Sequence, residues 1–336
     1  MRIRRVVAVS FLFCAAAVVF AGGAREEQAG AAGGQEIVGI SKIVSHPALD
    51  AIEKGIIDEL TELGYNLRFD VQSANGDLNT AASIAAKFKA DRVKLAIGIA
   101  TPTAVALANT ISDIPVIFSA VTDPVGAGLV KNLERGERNI TGISDMTPVR
   151  EQIELLASSK QIRRLGHVYT SSEANAVALA AIAKKTAQEM GMEFVETTVT
   201  NSAEVRQAAQ AIIGRVDALY VSTDNTVVSA LSSLIDVATR RGVPVMSADP
   251  SSAQTIGVLA AYGFDYYKLG RATGKLAAEV LEGTLPAEIP TRFMTDPSDL
   301  DLIINLDVAK TLGITIPAEI LAKANKIIEN GVLTSR

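Results

Sequence analysis

Part of this chain occurs twice. Gly39, Gly64 and Asp77 are answered by Gly166, Gly191 and Glu204, each 127 residues further on. The first unit opens with an apolar run at residues 37–40, then a helical stretch over 47–63 that ends at Gly64. A second apolar run at 67–71 precedes a helix that Asp77 is placed to cap and that reaches about residue 90. The second unit repeats the pattern with a strand at 165–169, a helix over 173–190 ending at Gly191, a strand at 194–199 and a helix from Ser202. Further on the offset drops to 123, with residues 93–95 answering to 216–218. Both units close alike, with Ile114-Pro115-Val116-Ile117 leading to Asp123-Pro124 and Val243-Pro244-Val245-Met246 leading to Asp249-Pro250. Apolar strands alternating with helices through short loops are βαβ units, and they build a parallel sheet covered on both faces. The repeat is far longer than the 20–50 residues of a solenoid. The pattern therefore predicts an α/β protein of two doubly wound parallel-sheet lobes.

The lobes are expected at residues 37–145 plus about 263–290, and at 146–262 plus about 291–336. The polar stretch 132–144 reads as closing the first lobe and crossing to the second. Beyond the second unit come a strand at 257–262, a long amphipathic helix over 266–281 and strand-like stretches at 290–295 and 302–305. Terminal helices are expected at 307–312 and 317–328. Late segments that cross back between the lobes make a multi-strand hinge, about which the lobes move as rigid bodies.

The N-terminus reads as an address. Three arginines in the first five residues precede a largely apolar run over 6–20, and Val19 and Ala21 provide small side chains before a cleavage point. Fifteen apolar residues fall short of the ~20 that a membrane span needs. Residues 1–21 are thus expected to be a cleaved signal peptide, followed by a flexible leader at 22–36 too poor in apolar side chains to pack. Lipidation of Cys14 is an alternative, although Leu12-Phe13 fit a lipobox poorly.

Composition removes other classes. A net charge of −5 gives no basic surface for nucleic acid. One Cys excludes an intrachain disulfide and Cys-based zinc sites, and two His make a His metal site or relay improbable. Neither GxGxxG, GxxxxGK[ST] nor GxSxG occurs in a fitting context, so no cofactor, phosphate cradle or nucleophile elbow is expected. Ser45-His46 has no third group for a catalytic triad, and His167 sits in an apolar strand as a core residue.

Ligands of open parallel sheets bind outside the carboxyl ends of the strands, so the site is sought in those loops. In the first lobe they offer Thr101, Thr103, Ser119, Thr122 and Asp123, with Ser45, His46 and Asp145 as additions. In the second they offer Ser171, Glu173, Asn175, Asp224 and Asn225, with Asp249 as an addition. Each of these side chains also reads as a helix N-cap, the default use of Ser, Thr, Asp and Asn before a helix. Together, helix amides at Thr101-Pro102-Thr103 suit a carboxylate and the acidic side chains suit an ammonium, so a zwitterion fits the set.

HPALDA (46–51), IATPTA (99–104), FSAVTDPVGAGLV (118–130), TGISDMTPV (141–149), SSEANA (171–176), STDNTVVSAL (222–231) and YGFDYYKLGRATG (262–274) resemble the ABC transporter substrate-binding family that includes tryptophan- and tyrosine-type amino-acid binders. The resemblance covers residues 37 to about 329. It implies a type I periplasmic-binding-protein fold and an extracytoplasmic protein of an ABC importer. Such a protein delivers a small amino acid, of aromatic type, to an inner-membrane permease with its ATPase. It implies a periplasmic monomer with no enzymatic activity, cofactor or metal. Asp224 is expected to meet the ammonium. A sensory module that presents its ligand to a membrane receptor, or a hydrolase using the same cleft, are the competing readings.

Overall fold

The structure is a computed structural model that describes residues 35–253 and 257–336. The expected signal peptide and Cys14 lie outside the described residues. In chain order the strands are β1 (Glu36–Lys42), β2 (Leu67–Ser73), β3 (Leu95–Ile99), β4 (Val116–Ser119), β5 (Ile140–Ser144), β6 (Arg164–Thr170), β7 (Glu193–Val199), β8 (Ala218–Val221), β9 (Val245–Ser247), β10 (Ala260–Phe264), β11 (Arg292–Phe293), β12 (Leu300–Asn305), β13 (Lys326–Glu329) and β14 (Val332–Ser335). They form two sheets, ordered β11-β5-β4-β3-β1-β2 and β14-β13-β12-β10-β9-β8-β6-β7. The first is parallel throughout. The second is parallel from β7 to β10, and β12 then joins β10 antiparallel.

The repeat is thereby explained. Its two units lay successive strands side by side in one and the same order, β2-β1-β3-β4-β5 and β7-β6-β8-β9-β10. The paired glycines do equivalent work. A methyl on Gly39 would stand 2.7 Å from the Phe88 ring, and one on Gly166 would stand 2.6 Å from Leu219, so both strands accept a helix or strand neighbour at close range. Gly64 and Gly191, at φ +84° and +75°, end the first helix of each unit in the left-handed region that glycine adopts without strain.

Helices Pro47–Glu62 and Tyr266–Leu281 pack together beside the first sheet, while Leu78–Ala90 and Thr101–Thr110 form another pair. The first pair crosses closely because Gly55 faces the backbone of Tyr267 and Gly270 faces that of Ile52, where any added carbon would meet a carbonyl oxygen at 2.4 and 2.3 Å. In the second lobe, helix Val149–Ser159 packs on Ala174–Glu189, and Val205–Ile212 on Leu231–Arg240. The apolar cores are separate. Phe88, Leu95 and Phe118 belong to one, and Tyr220, Leu165 and Val221 belong to clusters of the other lobe.

Three segments cross between the lobes: 145–148 after β5, Asp265 after β10, and 294–299 after β11. Asp265 N–H donates to Asp299 O at 2.8 Å, which ties the second crossing to the third. Three expectations change here. The stretch at 140–144 is a strand of the first sheet rather than part of the crossing, because Ile140–Ile143 pairs with Val116–Ser119. Of the stretch at 290–295 only Arg292–Phe293 is strand, and it pairs with Ile143–Ser144 in the first sheet, not the second. The Arg292 guanidinium holds it there by a two-pronged contact with Glu279 at 2.8 and 2.6 Å. The last helix spans only Ala318–Lys323, since the β-branched pair Ile327-Ile328 continues as β13 against β12.

Candidate functional site

The loops at the carboxyl ends of β1, β3, β4 and β5 face those of β6, β8 and β9 across a cleft, in which His46, Ala48, Leu49, Ala100, Ala120, Thr122, Asp145 and Tyr266 confront Asn175, Thr223, Asp224, Asn225, Val228 and Asp249. The two walls meet closely: helix Thr101–Thr110 touches Ala174–Glu189, and Pro47–Glu62 touches Pro250–Ala253. The free interior is about 20 Å³, enough for a single water. A ligand of amino-acid size therefore enters only as the lobes part.

Each wall is organised by its own lobe. On the second, Asp224 is fully buried and accepts from Thr170 N (2.6 Å), Thr170 Oγ1 (2.8 Å) and Val227 N (2.9 Å). Burial first, then the nearby Glu173 carboxylate, raises its pKa above the ordinary range. Glu173 caps the helix at Asn225–Ser229 from a neighbouring loop, accepting from Asn225 Nδ2 (2.6 Å), Thr226 N (3.0 Å) and Thr226 Oγ1 (2.7 Å). Asn175 donates to Thr223 O at 3.0 Å, and Asp249 accepts from Ser251 N at 2.8 Å and Ser252 Oγ at 2.5 Å.

On the first wall Asp145 is buried at the start of a lobe crossing, and burial pushes its carboxyl up to about 6. Thr122 Oγ1 donates to one of its oxygens at 3.1 Å and the Tyr266 hydroxyl to the other at 3.3 Å. Tyr266 opens the helix that follows the second crossing, so this pair joins two hinge segments at the floor of the cleft. Ala100 and Ala120 take φ of +73° and +55°, in a region costly for a residue with a side chain, and such strain gathers at ligand loops. Both alanines line the cleft.

Six buried side-chain atoms of the cleft loops have no hydrogen-bond partner: both ring nitrogens of His46, Thr101 Oγ1, Asn175 Oδ1, Ser222 Oγ and Thr223 Oγ1. His46 is 8% exposed, and burial lowers its pKa against the opposing pull of Asp249, Asn225, Asp50 and Glu173. Buried polar atoms are rarely left unpaired in native proteins. Their presence on both walls marks the cleft as a place where further polar contacts are to be made.

The expected residues divide. Thr122, Asn175, Asp224, Asn225, His46, Asp145 and Asp249 line the cleft, and Glu173 stands directly behind Asn225. Thr101 is buried beside it. The others are used elsewhere. Thr103 donates back to Ile99 O at 2.6 Å, and Ser119 bonds Thr273 Oγ1 at 2.7 Å behind the sheet ends. Asp123 accepts from Gly126 N at 2.8 Å within its own turn, and Ser45 donates to Asp50 at 2.8 Å. Ser171 is exposed and lines no part of the cleft. Sequence reasoning missed Tyr266, Ala48, Leu49, Ala100, Ala120, Thr223 and Val228. Two of them carried a signal: Tyr266 as the first helical residue after a hinge crossing, and Thr223 as a member of the same strand-end loop as Asp224. His167 is a core residue as expected, its Nδ1 2.9 Å from Tyr220 O and its pKa lowered to about 4 by burial. Among the described residues no group of three or more His, Cys, Asp or Glu is placed to hold a metal ion, and no helix is long and apolar enough to cross a membrane.

Comparison with known proteins bears on this cleft directly. The family model for ABC transporter substrate binding proteins matches residues 37–328. A tyrosine-binding protein of Clostridioides difficile is 39% identical over 283 residues, which cover 83% of this chain and 81% of that one. A Streptococcus pneumoniae ABC domain solved in complex with L-Trp is 34% identical and superposes with a TM-score of 0.84, covering 88% of this chain and all of the other. A ligand-free, open substrate-binding protein with adhesive properties from Clostridium difficile is 37% identical, yet its TM-score is 0.63 over 84% of this chain and 96% of its own. At similar identity, the higher score against the L-Trp complex places the lobes here nearer to that complex than to the open form.

Proposed function

We propose, for a chain that belongs to the ABC transporter substrate-binding protein family, that it captures a free aromatic amino acid between its lobes and hands it to the permease of an ABC importer. The fold is that of type I periplasmic binding proteins. Family membership carries a small-molecule ligand, a permease partner and a place outside the cytoplasm. The aromatic amino acid rests on the relatives that bind tyrosine and L-Trp, and on the chemistry of the two walls.

The supporting observation is that unpaired polar atoms line both walls, the His46 ring nitrogens on one and Asn175 Oδ1 and Thr223 Oγ1 on the other, in a cleft whose bonded groups find partners in their own lobe. A ligand that bonds both walls stabilises the closed arrangement by its differential affinity for it, and release reverses the motion without making or breaking a covalent bond. The ammonium is assigned to the second wall, with Asp224 as its principal charge and Asn175 Oδ1 as an acceptor. The ring is assigned to the small apolar side chains Ala48, Ala100, Ala120 and Val228 beside Tyr266. Export by a signal peptide cleaved after Ala21 would put a monomer in the periplasm, where the permease and its ATPase take over.

A thermal-shift screen tests this. L-tyrosine or L-tryptophan is expected to raise the unfolding midpoint in proportion to the logarithm of its concentration, with glucose, ribose and adenosine leaving it unmoved. A response to a sugar or nucleoside and none to any aromatic amino acid would overturn the assignment.

A further inference from the structure

We infer that His46, together with the first-turn amides of helix Pro47–Glu62, forms the carboxylate end of the cleft and makes the site choose an amino acid over the corresponding amine. The inference rests on the amino-acid reading above and adds which residue discriminates. Three observations carry it.

The first is the absence of a cationic side chain from the cleft among the described residues. No Lys or Arg lines the cleft, whereas Asp145, Asp224 and Asp249 do. A carboxylate brought into that surrounding needs neutral N–H donors turned towards it. The second is the helix itself. His46 occupies its N-cap in extended backbone with no side-chain cap, Pro47 follows, and Asp50 N–H is spent on His46 O at 3.0 Å. Ala48 and Leu49, which follow Pro47 and line the cleft, belong to the first turn, where amides have no partner within the helix and the dipole favours an anion. The third is the imidazole, 8% exposed, unpartnered at both nitrogens and lining the same cleft. Asp249, Asn225 and Glu173 of the opposite wall and Asp50 of its own helix are the groups that act on it. With both nitrogens unpartnered, the ring has an N–H to offer a ligand.

Helix Thr101–Thr110, the sequence's choice for the carboxylate, is the weaker anchor. Thr103 spends its hydroxyl on Ile99 O and Ala100 O, and neither Thr101 nor Thr103 lines the cleft. The ligand's two charges are thus met by opposite lobes, the carboxylate at His46 and the ammonium at Asp224, so that the α-carbon substituents themselves bridge the cleft.

Calorimetric titration of the whole chain with L-tyrosine and tyramine, and with L-tryptophan and tryptamine, tests the inference. The unaltered protein is expected to bind the amino acid at least tenfold more tightly than its amine. His46→Ala is expected to bring the two within threefold by weakening the amino acid alone, and His46→Gln, which keeps an N–H donor, to retain part of the preference. Unliganded melting curves of both variants establish that they fold, and His46→Gln alone decides should the alanine variant fail to. Equal binding of amine and amino acid by the unaltered protein overturns the inference, as does an equal loss for both ligands in His46→Ala, the mark of a residue that only helps the lobes close. If no aromatic amino acid binds at all, the amino-acid reading falls and takes this one with it.

Discussion

The two walls of the cleft come from one duplicated unit, yet their chemistry differs. The second wall holds its carboxylates in place with the protein's own donors: Asp224 takes two amides and a hydroxyl, and Glu173 caps a helix from outside it. The first wall leaves donors open. His46 has none of its bonds made, and two alanines sit at positive φ where their loops turn inward. Strand order and the packing glycines are shared by the two units, while the loops at the strand ends differ, with Asp224, Asp249 and Glu173 at the second wall and Asp145 beside an open imidazole at the first. A symmetric cleft would suit a symmetric ligand. This one suits a molecule with unlike ends.

The comparison breaks most severely at Asp224. Asp224→Ala is expected to weaken aromatic amino-acid binding by about 3 kcal/mol, roughly a hundredfold, because it deletes the charge assigned to the ammonium. It is also expected to lower the unliganded melting midpoint. Two amides and a hydroxyl lose a buried acceptor, at about 2 kcal/mol. Calorimetry reads the first effect and a melting curve without ligand the second. An unchanged affinity would take Asp224 out of the site.

The first wall answers to pH. Asp145 ionises at about 6 in the folded protein against 3.8 ordinarily, because burial disfavours its charge more than Thr122 and Tyr266 favour it. The folded state therefore holds this proton more tightly than the unfolded chain does. Its effect on stability is absent below about pH 4, grows unfavourable as pH rises to about 6, and stays constant above at about 3 kcal/mol. Asp145→Asn is expected to remove that penalty, so that unliganded stability at pH 7.5 rises and its fall between pH 4 and 6 becomes shallower. Denaturant midpoints across that range check it, and parallel curves for variant and parent would refute it.

How much of this was legible beforehand depends on how local the cause is. The lobes were visible because a strand, a helix and its terminal glycine are each written in consecutive residues, and the 127-residue offset repeats them. The short strand Arg292–Phe293 was assigned to the wrong lobe because its place is fixed by β5, about 150 residues earlier, and by Glu279 on another element. The site was legible as a set of loops, since a parallel sheet presents its ligand loops at one edge. Which side chains reach the cleft was not. Ser119 looks like a contact until Thr273, 154 residues away, takes its hydroxyl. Ala100 looks like nothing at all, because an alanine gives no sign that its backbone will turn to positive φ.

That distinction between a loop and its members gives the smallest expected effect. Ser171 and Asp123 follow strands β6 and β4 and were candidates on the same grounds as Asp224. Ser171, however, is exposed, and Asp123 closes its own turn through Gly126 N. Ser171→Ala and Asp123→Ala are expected to change aromatic amino-acid affinity less than twofold. The Asp123 variant alone should also lose a little stability, about 1 kcal/mol for the turn bond. A tenfold loss of affinity in either variant would mean that the closing lobes bring that loop onto the ligand, and the wall to which it belongs would then have to be redrawn to include it.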